Sequence, residues 1–158
     1  MSVTYVKGDA TQPIGSENRI ITHCCNDEGY WNAGFVKAIS RRWPEPERAY
    51  RRWANGLETL PFVLGSVQFV RVASGLCVAN IIGQSDIRKR GTYPPPIRYE
   101  AIRKGLQRVR ELAIAHKASI HMPRMGAGLA GGNWQLIAKI IDDELSNHGL
   151  QVTVYDLK

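Results

Sequence analysis

The sequence predicts an α/β fold, a three-layer α/β/α domain with a mixed, mostly parallel central sheet. β-type and helical patterns alternate along the chain in the order β-β-α-α-β-β-α-β-α-β, and strands joined through helices pair in parallel, with helices on both faces. One pair of strands, 66–72 and 76–82, is joined by the short turn 73–75, which favours an antiparallel pair. The 158 residues, 44% of them hydrophobic, suffice for one domain and are too few for two. We therefore predict a single domain over residues 1–158.

Apolar spacing sets the limits of each predicted element. The run 18–24 is almost continuously apolar, which is typical of a central strand covered on both faces. Period-two alternation marks the strand 66–72, and apolar residues three and four apart mark the helix 97–117, as expected for amphipathic elements. The other predicted strands are 3–6, 119–121 and 151–155, and the other predicted helices are 35–39, 45–55 and 133–148.

The composition argues against secretion and membrane insertion. The first residues lack the basic, apolar and small-residue segments of a signal peptide, and the longest apolar runs are only a few residues, too short to span a bilayer. Cys24, Cys25 and Cys77 form neither a C-x-x-C motif nor a Cys/His pair with zinc spacing. We expect a cytoplasmic protein with reduced cysteines, no metal, no cofactor and no membrane partner.

Most of the net charge of +7 lies in one segment of the chain. Between Asp86 and Arg110, eight basic residues stand against two acidic ones. Such a field attracts phosphorylated ligands or polyanions, nucleic acid among them. A solvated helix face explains the same charges, and we favour it over specific nucleic-acid contact. The basic residues of this 88–110 band are Arg88, Lys89, Arg90, Arg98, Arg103, Lys104, Arg108 and Arg110.

The segment 122–134, which reads MPRMGAGLAGGNW, contains the most informative glycines of the chain. It follows a predicted strand and precedes a predicted helix, so that backbone amides and a helix N-terminus converge where glycines let a ligand approach. This arrangement predicts an anion-binding loop. Gly126, Gly128 and Gly131 also match the G-x-G-x-x-G spacing of dinucleotide-binding loops. The alternative is a flexible connection without a ligand.

Further candidate ligand residues follow the C-terminal ends of other predicted strands, the edge where open α/β sheets bind ligands. Asp9 follows the first strand, the loop 25–34 follows the second, and Tyr155 ends the last. Asp9 alternatively forms a simple Asx turn. His23 lies inside an apolar strand and is interpreted as a buried histidine rather than a catalytic base. A carboxylate, two glycine-bearing loops and an aromatic ring together suit a nucleoside diphosphate.

Four segments of the chain resemble the macrodomain family. They are YVKGDAT at 5–11, the segment 26–34 that runs into a helix, MPRMGAGL at 122–129 and VTVY at 152–155. The resemblance spans nearly the whole chain, and several motifs in one order are far more specific than any one of them. The chain looks most like the branch that contains the terminal ADP-ribose protein glycohydrolase and its bacterial relatives.

The resemblance implies a role for each segment in binding ADP-ribose. Asp9 would receive the adenine amino group with backbone of Ala10 nearby, and Tyr155 would pack against the adenine. The distal ribose would lie near Asn26, Asp27 and Gly128. The diphosphate would be enclosed on one side by Gly126, Ala127, Gly128, Leu129 and Ala130, and on the other by Trp31, Asn32, Ala33 and Gly34.

Two positions depart from the pattern of the resembled branch. A lysine of that branch corresponds to Gln84, and an aspartate corresponds to Ala130. Gln84 cannot form a Schiff base, and Ala130 can neither take nor give a proton. The covalent route of that branch is therefore not expected, although Gln84 and Ala130 stay candidates for ligand contact. Our candidates for catalysis are Asp27 and Asn26, which would hold a water beside the labile ester; alternatively, Asp27 only caps its loop.

The resemblance thus implies an ADP-ribose-binding monomer that hydrolyses ADP-ribose from modified protein carboxylates or from O-acyl-ADP-ribose, with ADP-ribosylated proteins as partners. The alternative is a non-catalytic reader of ADP-ribose, because both acid/base positions of the branch are replaced. A third hypothesis takes the glycine spacing as a Rossmann site for NAD with Asp156 as its ribose-binding acid. A fourth is RNA or DNA binding through the 88–110 band.

Overall fold

Six strands form one sheet in the computed structural model, which describes residues 3–85, 95–128 and 130–158. The strands lie in the order β1-β6-β5-β2-β4-β3, and every neighbouring pair is parallel except β3 and β4. The mixed, mostly parallel sheet that the sequence predicts is confirmed. The strands are β1 (Thr4–Lys7), β2 (Arg19–Asn26), β3 (Val67–Ala73), β4 (Leu76–Gln84), β5 (Ser119–Met122) and β6 (Val152–Asp156).

Four α-helices cover the two faces of this sheet within the described residues. They are α1 (Phe35–Arg42), α2 (Glu45–Ala54), α3 (Tyr99–His116) and α4 (Trp134–Glu144). α1 and α2 bury Ile39, Tyr50 and Trp53 in one apolar core, and α3 and α4 bury a second core that contains Leu106 and Ile137. Burial of these side chains drives both layers onto the sheet. The predicted three-layer arrangement is therefore also confirmed.

The last predicted helix ends earlier than the sequence indicates. α4 stops at Glu144, and a separate 3₁₀ turn covers Ser146–His148 before Gly149, which has φ +81°. Leu145 leaves the helix with φ −122° and ψ −68° but remains fully buried. The apolar periodicity therefore continues through residue 145 although the helix does not, which is why the pattern predicts a single helix over 133–148.

Carboxylates neutralise much of the basic band on α3. Arg103 and Arg110 donate to the two oxygens of Glu144 on α4 at 2.7 and 2.8 Å. Arg108 pairs with Glu111 one turn further along α3. Arg103 and Arg110 therefore serve the packing of α3 against α4, whereas Arg108 is paired within α3. Arg88, Lys89 and Arg90 lie outside the described residues.

The three cysteines are free thiols, as the sequence predicts. Burial raises the pKa of the Cys24 thiol to about 12 and that of Cys77 to about 11, so both are protonated and inert near neutral pH. Within the described residues, no helix combines the length and apolar character that a membrane span requires.

Two histidines are buried in the sheet. His23 on β2 is 1% exposed and its Nε2 contacts Oδ1 of Asn80 on β4, its register partner. His121 on β5 is 2% exposed. Burial lowers the pKa of each imidazole to about 4, because the interior disfavours the charged form. Both side chains are therefore neutral in the folded protein near pH 7.

We predict that the free energy of unfolding falls between about pH 7 and about pH 5. A histidine in the unfolded chain titrates near 6.5 and therefore binds a proton in this range, whereas folded His23 and His121 do so only near 4. Their contribution is complete above pH 6.5 and is lost as the pH falls toward 4. The loss at pH 5 is on the order of 2 kcal/mol for each histidine.

Urea denaturation followed by tryptophan fluorescence at both pH values measures this effect. His23→Gln removes one of the two contributions and flattens the dependence, whereas His116→Gln, a change at an exposed position at the end of α3, leaves it intact. Equal stability of the parent protein at both pH values would contradict the prediction.

Candidate functional site

A cavity of about 530 Å³ opens at the edge of the sheet where the parallel strands end. Parallel pairing brings the C-terminal ends of β1, β2, β5 and β6 to this edge, and the loops that follow them supply most of the lining. The lining residues are Gly8, Asp9, Ala10, His23, Cys24, Ala33, Gly34, Phe35, Val36, Ala38, Arg41, Gln84, Pro123, Arg124, Met125, Gly126, Gly128, Ala130, Tyr155 and Leu157.

Asp9 presents a carboxylate at one end of the cavity. The backbone N–H and the hydroxyl of Thr11 both donate to Oδ1 of Asp9, at 2.8 and 2.7 Å. The hydroxyl of Thr11 in turn accepts from Nε of Arg42 at 2.9 Å. Asp9 thus forms the Asx turn considered from the sequence and also lines the cavity. Because Oδ1 carries both turn bonds, Oδ2 is the oxygen that can accept from a ligand.

Tyr155 lies at the same end of the cavity, at the end of β6, and is 5% exposed. Its hydroxyl accepts from the backbone N–H of Ile14 at 2.9 Å and contacts Nδ1 of His121 at 2.7 Å. These bonds occupy the polar atom of the side chain. The ring is therefore the part of Tyr155 that is available to a planar ligand.

The N-terminus of α1 forms a second wall. Gly34 has φ +83°, a conformation that favours glycine, and no side chain caps the helix. Gly34, Phe35 and Val36 all line the cavity. The unbonded amides of a first helical turn and the helix dipole together favour an anion at this position.

The loop between β5 and α4 forms the opposite wall. The N–H of Gly132 donates to the carbonyl of Gly126 at 2.8 Å, and this contact is so close that a Cβ atom on Gly132 would lie 2.4 Å from that oxygen. Gly126 has φ +77°. A Cβ atom on Gly128, in contrast, would meet no atom of the described part of the chain within 4 Å, and Gly128 lines the cavity.

Asp9, Arg41 and Arg124 are the charged side chains among the described lining residues. Arg41 is an exposed residue near the C-terminal end of α1, and Arg124 follows β5. Arg124 forms a bidentate pair with Asp156, at 2.7 and 3.1 Å, and lies over the ring of Trp134. The hydrogen bond to Asp156 raises the pKa of Arg124 and lowers that of the carboxyl. Asp156 thus offsets the charge of Arg124, and the guanidinium of Arg41 is the group whose charge favours a ligand that carries phosphate.

The two candidate catalytic residues do not line the cavity. The side-chain oxygen of Asn26 accepts from the N–H groups of Glu28 and Tyr30 and from the hydroxyl of Tyr50, and its amide nitrogen donates to the carbonyl of Tyr30. Asn26 therefore shapes its own loop. The backbone N–H of Asp27 donates to the carbonyl of Gln84 at 3.0 Å, which ties this loop to the end of β4.

Three of the described residues that were predicted to bind the ligand also lie outside the lining. Trp31 is 5% exposed, donates from its indole nitrogen to Ser40 and packs in the core beneath α1. Asn32 and Ala127 do not contribute to the lining, and Leu129 lies outside the described residues. The remaining predicted ligand residues, which all line the cavity, are Asp9, Ala10, Ala33, Gly34, Gln84, Gly126, Gly128, Ala130 and Tyr155.

Several lining residues were not anticipated from the sequence. Ala38 and Arg41 lie four and seven positions after the predicted Gly34, on the same face of α1, so helical periodicity carried a usable signal for them. His23, which was interpreted as a buried histidine, is 1% exposed but is also among the lining residues. Among the described residues, nothing is placed to form a hydrogen bond with its Nδ1. Within the described residues, no group of three or more histidine, cysteine or acidic side chains is placed to hold a metal ion.

No family model matches the sequence, but solved structures do. A protein of unknown function from Bacteroides thetaiotaomicron is 55% identical with a TM-score of 0.94, and 99% of each chain is covered. A macrodomain protein from Streptomyces coelicolor is 47% identical with a TM-score of 0.87, over 98% of this chain and 99% of that one.

More distant relatives include proteins whose names refer to ADP-ribose. An ADP-ribose glycohydrolase from Bos taurus is 22% identical over 98% of this chain and 91% of that protein. DarTG from Thermosipho africanus, solved in complex with ADP-ribose, is 16% identical with a TM-score of 0.77, over 99% of this chain and 42% of that one. The latter similarity establishes the fold alone.

Among curated proteins, chromodomain-helicase-DNA-binding protein 1-like from Danio rerio is 32% identical over 98% of this chain. The chain spans only 15% of that protein and 18% of its Mus musculus counterpart. The family assignment therefore rests on the Streptomyces coelicolor protein, which matches over nearly the full length of both chains. With the predicted fold and motifs in place, this chain belongs to the macrodomain family.

Proposed function

We propose that the cavity binds ADP-ribose. The observation that carries this proposal is that the N-terminus of α1, with Gly34 at its N-cap, and the glycine loop after β5 line one cavity. Two sets of backbone amides at one cavity suit a diphosphate. The relatives named for ADP-ribose, from Bos taurus and Thermosipho africanus, support the same ligand.

The polarity of the cavity assigns an orientation to the proposed ligand. The adenine lies at the end formed by Asp9, Ala10 and Tyr155, where a carboxylate accepts from its amino group and a ring packs against its face. The diphosphate lies between Gly34 and Gly126. The distal ribose then extends toward Gln84 and Ala130 at the other end.

We predict that Asp9→Asn weakens binding of ADP-ribose at least tenfold, because an amide nitrogen replaces the acceptor Oδ2 while Oδ1 still holds Thr11. The parent protein also prefers ADP-ribose to its inosine analogue, in which a carbonyl replaces the adenine amino group. Asp9→Asn reduces this preference. Isothermal titration calorimetry with both ligands measures all four affinities.

Thermal unfolding of Asp9→Asn is the control, and it should match the parent protein because the turn onto Thr11 is retained. An unchanged ratio between the two ligands would show that Asp9 does not contact the base. Absence of ADP-ribose binding by the parent protein at millimolar ligand would overturn the proposed function itself.

We also predict that Gly128→Val abolishes ADP-ribose binding without a loss of stability. A Cβ atom at position 128 would meet no atom of the described residues within 4 Å, and Gly128 lines the cavity, so we expect the valine side chain to occupy space that the ligand needs. Ala127→Val, in the same loop but outside the lining, is the matched control and retains binding. Calorimetry and thermal unfolding of both variants test this, and normal binding by Gly128→Val would place the diphosphate elsewhere.

Hydrolysis of an ester at the distal ribose is the second candidate function, with ADP-ribosylated proteins as the partners. It is favoured by the backbone bond from Asp27 to Gln84, which places Asp27 next to a residue that lines the ribose end of the cavity. Aspartate at this position can orient or deprotonate a water. An acyl ester needs less assistance than a glycosidic bond, since its leaving group is already reactive.

We predict that the protein releases ADP-ribose from glutamate-linked ADP-ribosylated substrate and that Asp27→Asn slows release at least tenfold with unchanged ADP-ribose affinity. Glu28→Gln, a change to the exposed neighbour, serves as control and retains the parent rate. Asn26 is unsuitable for this test because its substitution would dismantle the loop. Tight binding of ADP-ribose without release at enzyme excess would favour a reader over a hydrolase.

A further inference from the structure

Four side chains form a continuous hydrogen-bonded series beneath the proposed adenine end of the cavity. Glu17 contacts the hydroxyl of Ser119 at 2.7 Å, Ser119 contacts Nε2 of His121 at 2.8 Å, and Nδ1 of His121 contacts the hydroxyl of Tyr155 at 2.7 Å. We call these residues the Tyr155 network. Ser119, His121 and Tyr155 are each less than 7% exposed, whereas Glu17 lies at the surface.

The carboxylate of Glu17 fixes the direction of every bond in the Tyr155 network. An ionised carboxylate only accepts, so the hydroxyl of Ser119 donates to it. The oxygen of Ser119 must then accept from Nε2–H of His121, which leaves Nδ1 as a bare acceptor. The hydroxyl of Tyr155 accordingly donates to Nδ1, and its oxygen accepts from the backbone N–H of Ile14.

Two charged groups face His121, the carboxylate of Glu17 and the guanidinium of Arg19. Hydrogen bonding to Ser119 lowers the pKa of Glu17, and burial raises that of Tyr155. Near neutral pH, therefore, Glu17 is ionised while His121 and Tyr155 are neutral. These are the protonation states that the directional series requires.

We propose that Glu17, Ser119 and His121 are positioning residues for Tyr155. By accepting the phenolic hydrogen, the Tyr155 network turns the hydroxyl away from the cavity and fixes the ring as an apolar wall. Without the network, the hydroxyl of Tyr155 would donate to a different acceptor, and the Tyr155 ring would no longer be held in one orientation. This inference rests on the proposed function, because it assigns the fixed ring to the adenine of ADP-ribose.

The same residues are poorly explained by stability alone. Apolar side chains at positions 119 and 121 would fill the space between β5 and the segment 9–18 without the desolvation that a buried imidazole requires. The hydroxyl of Ser119 and both ring nitrogens of His121 have their hydrogen bonds within one series that ends on Tyr155. The only member that lines the cavity is Tyr155 itself, which makes the ring the site at which the network acts on a ligand.

A double-mutant cycle on ADP-ribose affinity tests the proposal. Ser119→Ala breaks the series at its centre and Tyr155→Phe removes the hydroxyl but keeps the ring. Each should weaken binding about fivefold, as expected for one net hydrogen bond. Both changes interrupt the same series, so their effects should not add. The affinity of the double variant should therefore equal that of whichever single variant binds ADP-ribose less tightly. Ser119→Thr retains the hydroxyl and restores binding.

Thr153→Val is the matched control, since Thr153 lies opposite His121 on β6 but outside the network, and it should leave affinity unchanged. Losses that add in the double variant, or an unchanged affinity of Ser119→Ala, would overturn the proposal. Thermal unfolding without ligand shows whether each single variant is as stable as the parent protein. Where a variant is less stable, its ADP-ribose affinity is corrected for the unfolded fraction before the loss is counted.

Nitrogen NMR of His121 in the ligand-free protein provides a reading that does not depend on ADP-ribose. The expected state is a neutral imidazole with hydrogen on Nε2, converted to a mixture of tautomers in Ser119→Ala. Hydrogen on Nδ1 in the parent protein would overturn the Tyr155 network even if ADP-ribose binds. A different outcome separates the two proposals. If the tautomer is as expected but the parent protein does not bind ADP-ribose, the hydrogen-bond directions are established, whereas the proposed function and the role assigned to the ring are overturned.

Discussion

Parallel pairing of β2 with both β4 and β5 is the constraint on which the cavity depends. β2 is central, and its neighbours run in the same direction, so that the loops after β1, β2, β5 and β6 all emerge at one edge of the sheet. Each of these loops contributes only one or two polar features. Their convergence brings the carboxylate of Asp9, the backbone amides at Gly34 and Gly126 and the amide side chain of Gln84 into one cavity.

Alternation along the strands separates the two functions of the sheet. On β5, Ile120 and Met122 face the core under α3 and α4, whereas Ser119 and His121 face the segment 9–18 and carry polar contacts. Since successive side chains of a strand point to opposite faces, a single short strand contributes both to the apolar core and to the polar support of Tyr155. The covering layer at this position is a hydrogen-bonded loop instead of a helix.

The sequence predicted the elements and the location of the cavity well, because both follow from local patterns. Apolar periodicity defines strands and helices, and parallel topology places Asp9 and the glycine loop at the same edge. The orientation of individual side chains was less accessible. Trp31 occurs in a loop that resembles a ligand-binding segment, yet its large indole fills the core beneath α1. The side-chain amide of Asn26 forms hydrogen bonds within its own loop. The Tyr155 network joins residues more than a hundred positions apart and has no local signature.

The segment 9–14 connects the ligand end of the cavity to the interior of the protein. It carries Asp9, donates to Tyr155 from Ile14, and is held by Arg42 through Thr11 and by Arg19 through the carbonyl of Pro13. Lifting this segment would break all of these bonds at once and expose His121 to water. Three hydrogen bonds thus tie this wall of the cavity to the rest of the protein. In the proposed mode of binding, a base beside Asp9 would therefore meet a wall that cannot shift without breaking bonds to the interior, so its fit would be decided before the ligand arrives.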